Sequence, residues 1–339
     1  MKDKKRMFFN ALIFFILFLA TYYVIFDNQN PRELINNFRG LNYSFLIISF
    51  CMMIMYFVVE GINVRNILAT FKEKISLLKA VKFTFIGFFF SSITPATSGG
   101  QPMEIYYMSK EDVKVSHASL ALILHMCGYQ MSVVYLGIMC ALLNPEVFDS
   151  KLIILFIIGT LLNCVSLSIM LIGLFSKKLS TKLVNLTIKI MKKFKVKNIE
   201  EKEEKIKSEL KAYHESATYI KSHRNDFIKA IFTAFVQVVI VQSLPYFIYR
   251  AFGLNTYSYL EVLQIQVIVH CTVTCIPLPG SIGISETVFL LTYGAIFGDY
   301  LTNALIVHRG LNFYLFVLIS LFVVIINKIY LMKKEKDLT

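Results

Sequence analysis

The sequence contains no tryptophan, only 7 prolines among 339 residues, and only 17% charged residues. It has no glycine-rich phosphate loop, nucleophile elbow or metal-ligand cluster, so the common catalytic motifs are absent. Its six cysteines lie within apolar stretches, without zinc or paired-disulfide spacing, which indicates packing thiols. We therefore expect no cofactor and no bound metal. With tryptophan absent, the 18 tyrosines must supply much of any aromatic belt at a membrane interface.

Long apolar runs take up most of the chain. Hydrophobic residues make up 56% of it, its mean hydropathy is +0.61, and soluble domains average about 45–50% apolar residues. Six runs are long enough to cross a bilayer as helices. They cover residues about 7–26, 41–59, 118–143, 152–175, 227–249 and 304–327. The pattern predicts an all-α polytopic membrane protein that forms a single membrane domain over residues 1–339.

Two further apolar segments, about 83–109 and 260–299, are each interrupted by proline and glycine and then by a glutamate. A bilayer offers no hydrogen-bond partners, so a broken helix needs partners inside the protein or in a polar cavity. We interpret these segments as two re-entrant helical hairpins around a translocation site. Proline-kinked ordinary spans are the alternative. The interruptions read Ser91-Ser92-Ile93-Thr94-Pro95-Ala96-Thr97-Ser98-Gly99-Gly100-Gln101-Pro102-Met103-Glu104 and Cys275-Ile276-Pro277-Leu278-Pro279-Gly280-Ser281-Ile282-Gly283-Ile284-Ser285-Glu286.

The charges between the runs predict the orientation. If each hairpin enters and leaves on one side, 29 of the 35 lysines and arginines lie on the side of both termini, and four lie on the other. This bias predicts a plasma-membrane protein with cytoplasmic termini. The net charge of +13 therefore reflects membrane orientation, and we expect no nucleic-acid partner.

The same topology predicts an inverted repeat. Repeat one covers about 41–143, repeat two covers about 227–327, and a basic cytoplasmic loop, 176–226, lies between them. The two hairpins would enter from opposite faces, as in transporters that alternate access to a central site. The loop is interpreted as an amphipathic helix at the membrane surface or as a solvated connector.

The residues after each interruption are typical of the start of a helix. Ser98 and Gln101 have capping-box spacing, and Ser281 is predicted to cap the second half-helix. A helix N-terminus at membrane depth favours an anion such as a lipid phosphate. The predicted substrate-binding residues are Ser98, Gly99, Gly100, Glu104, His125, Gly280, Ser281, Gly283, Glu286 and Arg309.

The charged members of this set require a reason to lie in an apolar region, since each carboxylate costs at least about 2.5 kcal/mol at the bilayer centre. Glu104 and Glu286 are interpreted as headgroup ligands, proton carriers or gating ion pairs, with interfacial capping as the alternative. We assign His125 as the partner of Glu104, although a structural histidine is the alternative. Arg309 is assigned to Glu286 or to a lipid phosphate, with snorkelling to the interface as the alternative.

At these motifs the chain resembles the lysylphosphatidylglycerol synthase transmembrane family, also called the flippase-like domain family. The resemblance implies a membrane domain that moves aminoacylated or other phospholipids between leaflets. Many relatives have an arginine soon after the first glutamate and a Glu-Arg pair in the next span, whereas this chain has two tyrosines, His125 and Gln130. We expect no soluble aminoacyl-transferase domain. The segments that carry the resemblance are Thr94-Pro95 through Glu104 to Met108, Pro277 to Glu286, Phe297-Gly298 and His308-Arg309-Gly310.

These features predict a lipid translocase whose partner is a membrane phospholipid. The half-helix N-termini would bind the lipid phosphate, and the two glutamates would face a cationic headgroup or carry a proton. One alternative is a secondary transporter of a small polar solute. Another is a membrane subunit that works with a separately encoded aminoacyl-phospholipid synthetase, with contact through 176–226.

Overall fold

The protein is all-helical in the parts that the computed structural model describes, which are residues 36–94, 97–143, 150–193, 199–222, 224–273 and 281–337. No β-strand occurs in these ranges. The main helices are α1 (Tyr43–Thr70), α2 (Leu77–Ser92), α3 (Gly100–Ser109), α4 (Val115–Leu143), α5 (Ser150–Phe175), α6 (Lys177–Lys193), α7 (Ile199–Ser222), α8 (Arg224–Ala251), α9 (Tyr259–Val273), α10 (Ile284–Phe297), α11 (Leu301–Arg309) and α12 (Leu315–Asp337).

Helix α1 is longer than the sequence predicts. The Asn42 side chain caps its start by accepting a hydrogen bond from the Ser44 amide at 3.1 Å. The helix then continues past the predicted end at residue 59 to Thr70. Glu60 and Asn63, which the sequence assigned to a loop, therefore lie inside a membrane-length helix.

Helices α2 and α3 form an antiparallel hairpin. A Cβ atom at Gly100 would clash with Ser91 Oγ, and one at Gly87 would lie 2.7 Å from Glu104 Oε2. Both contact pairs join residues at equal distances from the turn, as antiparallel packing requires. The two glycines therefore allow the arms of the hairpin to approach closely.

Helices α9 and α10 form the second hairpin. The Tyr293 hydroxyl on α10 donates to Gln266 Oε1 on α9 at 2.9 Å. The chain then reverses again at Gly298, which has a φ of +51°. Residues 286 and 309 would be about 34 Å apart along one straight helix, yet Arg309 Nε lies 2.6 Å from Glu286 Oε1. The apolar helical stretch Ile284–Lys333 is therefore folded back on itself.

The helices pack in matching pairs. Helix α1 packs along α8, α12 packs against α2 of the first hairpin, and α4 packs against α9 of the second. One apolar core contains Val64, Phe83 and Leu120, and another contains Phe57, Phe289 and Phe316. On α1, Glu60 lies between Phe57 of one core and Val64 of the other.

Four described helical stretches are long and apolar enough to cross a membrane, namely Tyr43–Thr70, Val115–Leu143, Arg224–Ala251 and Ile284–Lys333. The pair Phe156–Ile172 and Lys177–Lys189, bent by 83°, makes a fifth only if the two helices are counted as one span. The predicted span 7–26 lies outside the described residues. The fold class is confirmed, and the count of six spans stays a prediction.

The basic segment 176–226 forms two helices, α6 and α7, rather than one. Lys192 Nζ on α6 lies 2.5 Å from Glu203 Oε2 on α7, and Ser180 Oγ lies 2.6 Å from His214 Nε2. Helix α7 packs against α4, and Tyr213 contacts the core below it. The described part of the segment therefore packs onto α4, and its position at a membrane surface stays a prediction.

We predict that Gly61→Ala destabilises the protein, because α1 crosses α2 at this glycine. A Cβ atom there would lie 2.9 Å from the Val81 amide nitrogen, and backbone cannot move aside as a side chain can. Such overpacking costs about 1–3 kcal/mol. Gly294→Ala is the control, since its Cβ would meet only Leu301 Cδ2 at 3.9 Å. The unfolding temperature in detergent should fall for Gly61→Ala and stay unchanged for Gly294→Ala. An equal decrease in both variants would contradict this packing.

We predict an acid-sensitive contribution from Glu111, which lies in the loop after α3. Burial raises the pKa of its carboxyl, but hydrogen bonds and charge from Lys82 and Lys79 outweigh burial and hold the pKa below its usual 4.5. The carboxylate thus stabilises the fold fully above about pH 4.5, and the contribution disappears as pH falls through the lower folded pKa. The difference in melting temperature between wild type and Glu111→Gln should be constant at neutral pH and shrink on acidification. A difference that does not change with pH would contradict the assignment.

Candidate functional site

A polar cavity of about 380 Å³ lies where the tips of both hairpins meet the middle of α1 and α4. Its described wall contains two carboxylates and no lysine or arginine. The wall residues are Tyr56, Glu60, Thr84, Gly87, Phe88, Ser91, Ser92, Thr97, Gly100, Gln101, Glu104, His125, Met126, Tyr129, Gln130, Met170, His270, Ser281 and Phe313. The cavity therefore has an acidic and aromatic surface.

Glu104 is the unsatisfied acidic group of this wall. Its side chain projects from the second turn of α3 toward Gly87, where the missing side chain leaves space for the carboxylate. The residue is 4% exposed, and its Oε1 atom has no hydrogen-bond partner among the residues that the structure describes. Buried polar atoms in native proteins are almost always paired, so this oxygen is available for a ligand or water.

Glu60, by contrast, belongs to a hydrogen-bonded network. Gln237 Nε2 donates to Glu60 Oε2 at 2.9 Å, and His125 Nε2 lies 3.9 Å from Glu60 Oε1. Asn63 Nδ2 contacts His125 Nδ1 at 3.1 Å and also donates to the Ala230 carbonyl at 2.9 Å. The Ala230 carbonyl can only accept a hydrogen bond, so the Asn63 atom that contacts it must be the amide nitrogen, which is a donor. His125 Nδ1 is then the acceptor, and the Nε2 proton points toward Glu60.

This network corrects one prediction. The sequence paired His125 with Glu104, but the carboxylate neighbour of His125 is Glu60. The predicted span ended at residue 59, so Glu60 was placed in a loop. Tyr56, Glu60 and Asn63 have the spacing of one helix face, and that polar stripe was the signal that would have extended the span.

The second hairpin contributes Ser281 and His270 to the wall. The His270 ring lies 6.3 Å from the ring of Tyr129 on α4, which in turn lies 6.5 Å from the ring of His125. Next to Tyr129, Gln130 Nε2 donates to Asn163 Oδ1 on α5 at 2.5 Å. Side chains from both halves of the chain thus form one surface.

The predicted pairing of Arg309 with Glu286 is confirmed. Arg309 Nε donates to Glu286 Oε1 at 2.6 Å, and the residues are 8% and 3% exposed. The guanidinium also lies 4.4 Å from the centre of the Phe313 ring. A π-helical turn, Gly310–Tyr314, carries Phe313 into the cavity wall. The ion pair therefore lies behind an aromatic wall, outside the cavity.

Both predicted serine caps are wrong. Helix α3 begins at Gly100 with Gly99 as its N-cap, and Thr94 Oγ1 accepts from the Gly99 amide at 2.9 Å. Helix α10 begins at Ile284, and Glu286 Oε2 accepts from the Gly283 amide at 2.7 Å. The first helix therefore starts one residue later than the capping pattern suggests and the second starts two residues later, because another side chain satisfies the exposed amide.

The predicted site residues thus fall into three groups. Gly100, Glu104, His125 and Ser281 line the cavity. Glu286 and Arg309 form the ion pair behind it, with Gly283 at the cap of α10. Ser98 and Gly99 lie in the turn of the first hairpin and are not part of the described wall, and Gly280 lies outside the described residues.

We predict strong coupling between Glu286 and Arg309. Removing one member of a buried ion pair costs about 3–5 kcal/mol because the other charge loses its partner. Arg309→Gln should therefore destabilise the protein strongly, and the double variant with Glu286→Gln should recover much of that loss. The exposed pair Lys229 and Asp226, with side chains 77% and 42% exposed, should show almost no coupling. A double-variant cycle of detergent unfolding measures both, and additive losses at the buried pair would contradict this prediction.

Comparison with known proteins agrees with this membrane architecture. The family model described as "Lysylphosphatidylglycerol synthase TM region" matches residues 8–320. A "UPF0104 membrane protein" from Archaeoglobus fulgidus is 23% identical over 302 residues, which cover 83% of this chain and 86% of that protein. The family match extends over more than nine-tenths of the sequence and includes both hairpins. The chain therefore belongs to the lysylphosphatidylglycerol synthase TM region family.

Proposed function

We propose that the protein is a lipid translocase that binds a phospholipid headgroup in the central cavity and moves it between leaflets. The cavity volume of about 380 Å³ is near the lower end of the range for small-molecule pockets, about 300–1,000 Å³. It suits a headgroup better than a whole lipid, whose acyl chains would stay in the bilayer. An aminoacylated phosphatidylglycerol is the substrate that this chemistry favours.

The observation that carries the proposal is the unpartnered Glu104 Oε1 atom in an acidic wall. A carboxylate oxygen accepts hydrogen bonds, and a cationic amine is the strongest donor that a headgroup offers it. Glu60 lies in the same wall, and no described wall residue is a lysine or arginine. A headgroup with an ammonium group would therefore supply both a positive charge to balance the carboxylates and a hydrogen-bond donor for Glu104 Oε1.

The helix contacts support the proposed inverted repeat. Exchange of the two halves maps α1 onto α8, α2 onto α9, and α4 onto α11 and α12. The observed packing of α12 on α2 then corresponds to that of α4 on α9, and the contact between α1 and α8 maps onto itself. In a transporter, two such halves expose one central site alternately to each side.

The N-terminus of α3 is the better of the two proposed phosphate sites. Gly100 and Gln101 in its first turn line the cavity, and the helix dipole places partial positive charge there. At α10 the corresponding position already holds the Glu286 carboxylate. In this proposal the lipid phosphate therefore binds near α3, within reach of the same headgroup that contacts Glu104.

A membrane transporter for a small polar solute is the second candidate, because a cavity of about 380 Å³ can hold such a solute whole. Mass spectrometry of molecules that co-purify with the protein distinguishes the two. A bound phospholipid supports the first candidate, and a specific soluble ligand supports the second.

We predict that Glu104→Gln slows lipid movement. Proteoliposomes containing aminoacylated phosphatidylglycerol are treated with an impermeant amine reagent, which labels the outer leaflet only. Loss of a charge-assisted hydrogen bond, about 1.5–3 kcal/mol, predicts a rate at least about tenfold lower than wild type.

Glu261→Gln is the matched control, because this carboxylate caps the start of α9 through the Ser258 amide and lies away from the cavity. It should leave the rate unchanged. The proposal fails if protein-free vesicles label as fast as wild type, or if both variants transport alike.

A further inference from the structure

A second cavity, about 440 Å³, lies between the first turns of α2 and the middle of α12. We call it the α2–α12 groove. It uses a different face of α2 from the central cavity. Phe85 borders the groove and stacks on Phe57 with ring centres 4.3 Å apart. This aromatic contact separates the groove from the polar interior.

The polar centre of the groove is Asn327. This residue is 2% exposed, yet neither its amide nitrogen nor its carbonyl oxygen has a hydrogen-bond partner in the described part of the chain. Burying an amide without partners is costly, so native proteins rarely leave both atoms unpaired. Asn327 thus offers one donor group and one acceptor to a molecule in the groove.

Lys79, Lys82 and Glu111 form a small basic cluster in the groove. Lys79 Nζ lies 3.1 Å from Glu111 Oε2, and Lys82 pairs with the other oxygen of the same carboxylate. Two lysines and one glutamate leave a net charge of +1. The Lys79 side chain is 49% exposed and so can turn toward a second anion. A phosphodiester, with one negative charge, balances this cluster.

The rim of the groove is apolar and faces outward. Leu78 on α2 is 84% exposed, and Ile326 on α12 is 66% exposed. Tyr330, 53% exposed, places a phenol between this apolar rim and Lys82, whose Nζ lies 5.9 Å from the ring centre. The groove therefore combines an apolar rim, a phenol and a basic cluster, which are the groups that would contact the acyl chains, glycerol backbone and phosphate of a lipid.

We propose that the α2–α12 groove binds one anionic phospholipid of the surrounding bilayer. Lys79 and Lys82 hold its phosphate, Asn327 bonds to its ester carbonyl and headgroup hydroxyl, and Leu78 and Ile326 contact its acyl chains. The site does not rest on the proposed transport activity. Because α2 is also one arm of the hairpin at the central cavity, the bound lipid contacts that hairpin directly.

The absence of tryptophan from the chain allows a site-specific test. Tyr330→Trp places a single fluorophore in the groove. Tyr135→Trp places one on α4, and the two tyrosines are 53% and 54% exposed. Each protein is reconstituted in phosphatidylcholine with increasing brominated phosphatidylglycerol, or brominated phosphatidylcholine as reference, and quenching gives the local lipid preference. One uncompensated cation near a membrane surface predicts about a fivefold preference for phosphatidylglycerol at position 330 and none at position 135.

Charge variants in the Tyr330→Trp background distinguish specific lipid binding in the groove from nonspecific electrostatic attraction of anionic lipids to the protein. Lys79→Gln with Lys82→Gln should abolish the preference, and Asn327→Leu should reduce it. Glu111→Gln should strengthen it by raising the cluster charge to +2, a gain that misfolding does not produce. Arg65→Gln removes an exposed cation on α1 and should have no effect.

Two results would overturn the proposal. One is equal quenching by the two brominated lipids at position 330. The other is a preference that neither the lysine pair nor Glu111→Gln changes, since this indicates nonspecific attraction. Native mass spectrometry of the chain with its natural Tyr330 repeats the comparison without the reporter. Retention of phosphatidylcholine as strongly as phosphatidylglycerol there would contradict the site as well.

Discussion

The structure depends on one constraint, which is that a helix broken in an apolar environment must satisfy its exposed backbone amides within the protein. The two hairpins meet this constraint differently. In the first, the neutral Thr94 hydroxyl accepts from the Gly99 amide, which leaves the Glu104 carboxylate available to the cavity. In the second, Glu286 itself accepts from the Gly283 amide, and Arg309 balances its charge. Two similar sequence motifs therefore give one carboxylate that faces the cavity and one that stabilises the fold.

The central cavity and the α2–α12 groove carry charges of opposite sign. The described wall of the central cavity is acidic, whereas the groove on another face of α2 carries the Lys79–Lys82–Glu111 cluster with a net positive charge. Helix α2 thus contacts two environments of opposite sign. Our two proposals place a cationic headgroup on one side of α2 and an anionic bilayer lipid on the other.

Apolar run length and the positions of proline and glycine predicted the helical membrane fold and the two breaks at which the chain turns back. Charged residues within apolar runs indicated Glu286 as one of the possible partners of Arg309. The site was predicted only in part. Glu60 was missed because the predicted span ended at residue 59, whereas α1 continues to Thr70 and buried Gln237 donates a hydrogen bond to the Glu60 carboxylate. The serine caps failed because capping patterns consider only neighbours in sequence. Thr94 reached Gly99 through the turn of the hairpin, a contact that only the folded chain defines.

The central claim is that Glu104 Oε1 receives a lipid headgroup, and a cryo-electron microscopy map in nanodiscs containing aminoacylated phosphatidylglycerol tests it most directly. The account predicts headgroup density in the central cavity, with a donor atom within about 3.2 Å of this oxygen, and loss of that density in Glu104→Gln. A cavity without lipid, in which Glu104 accepts a hydrogen bond from a protein side chain such as Gln101, would contradict it.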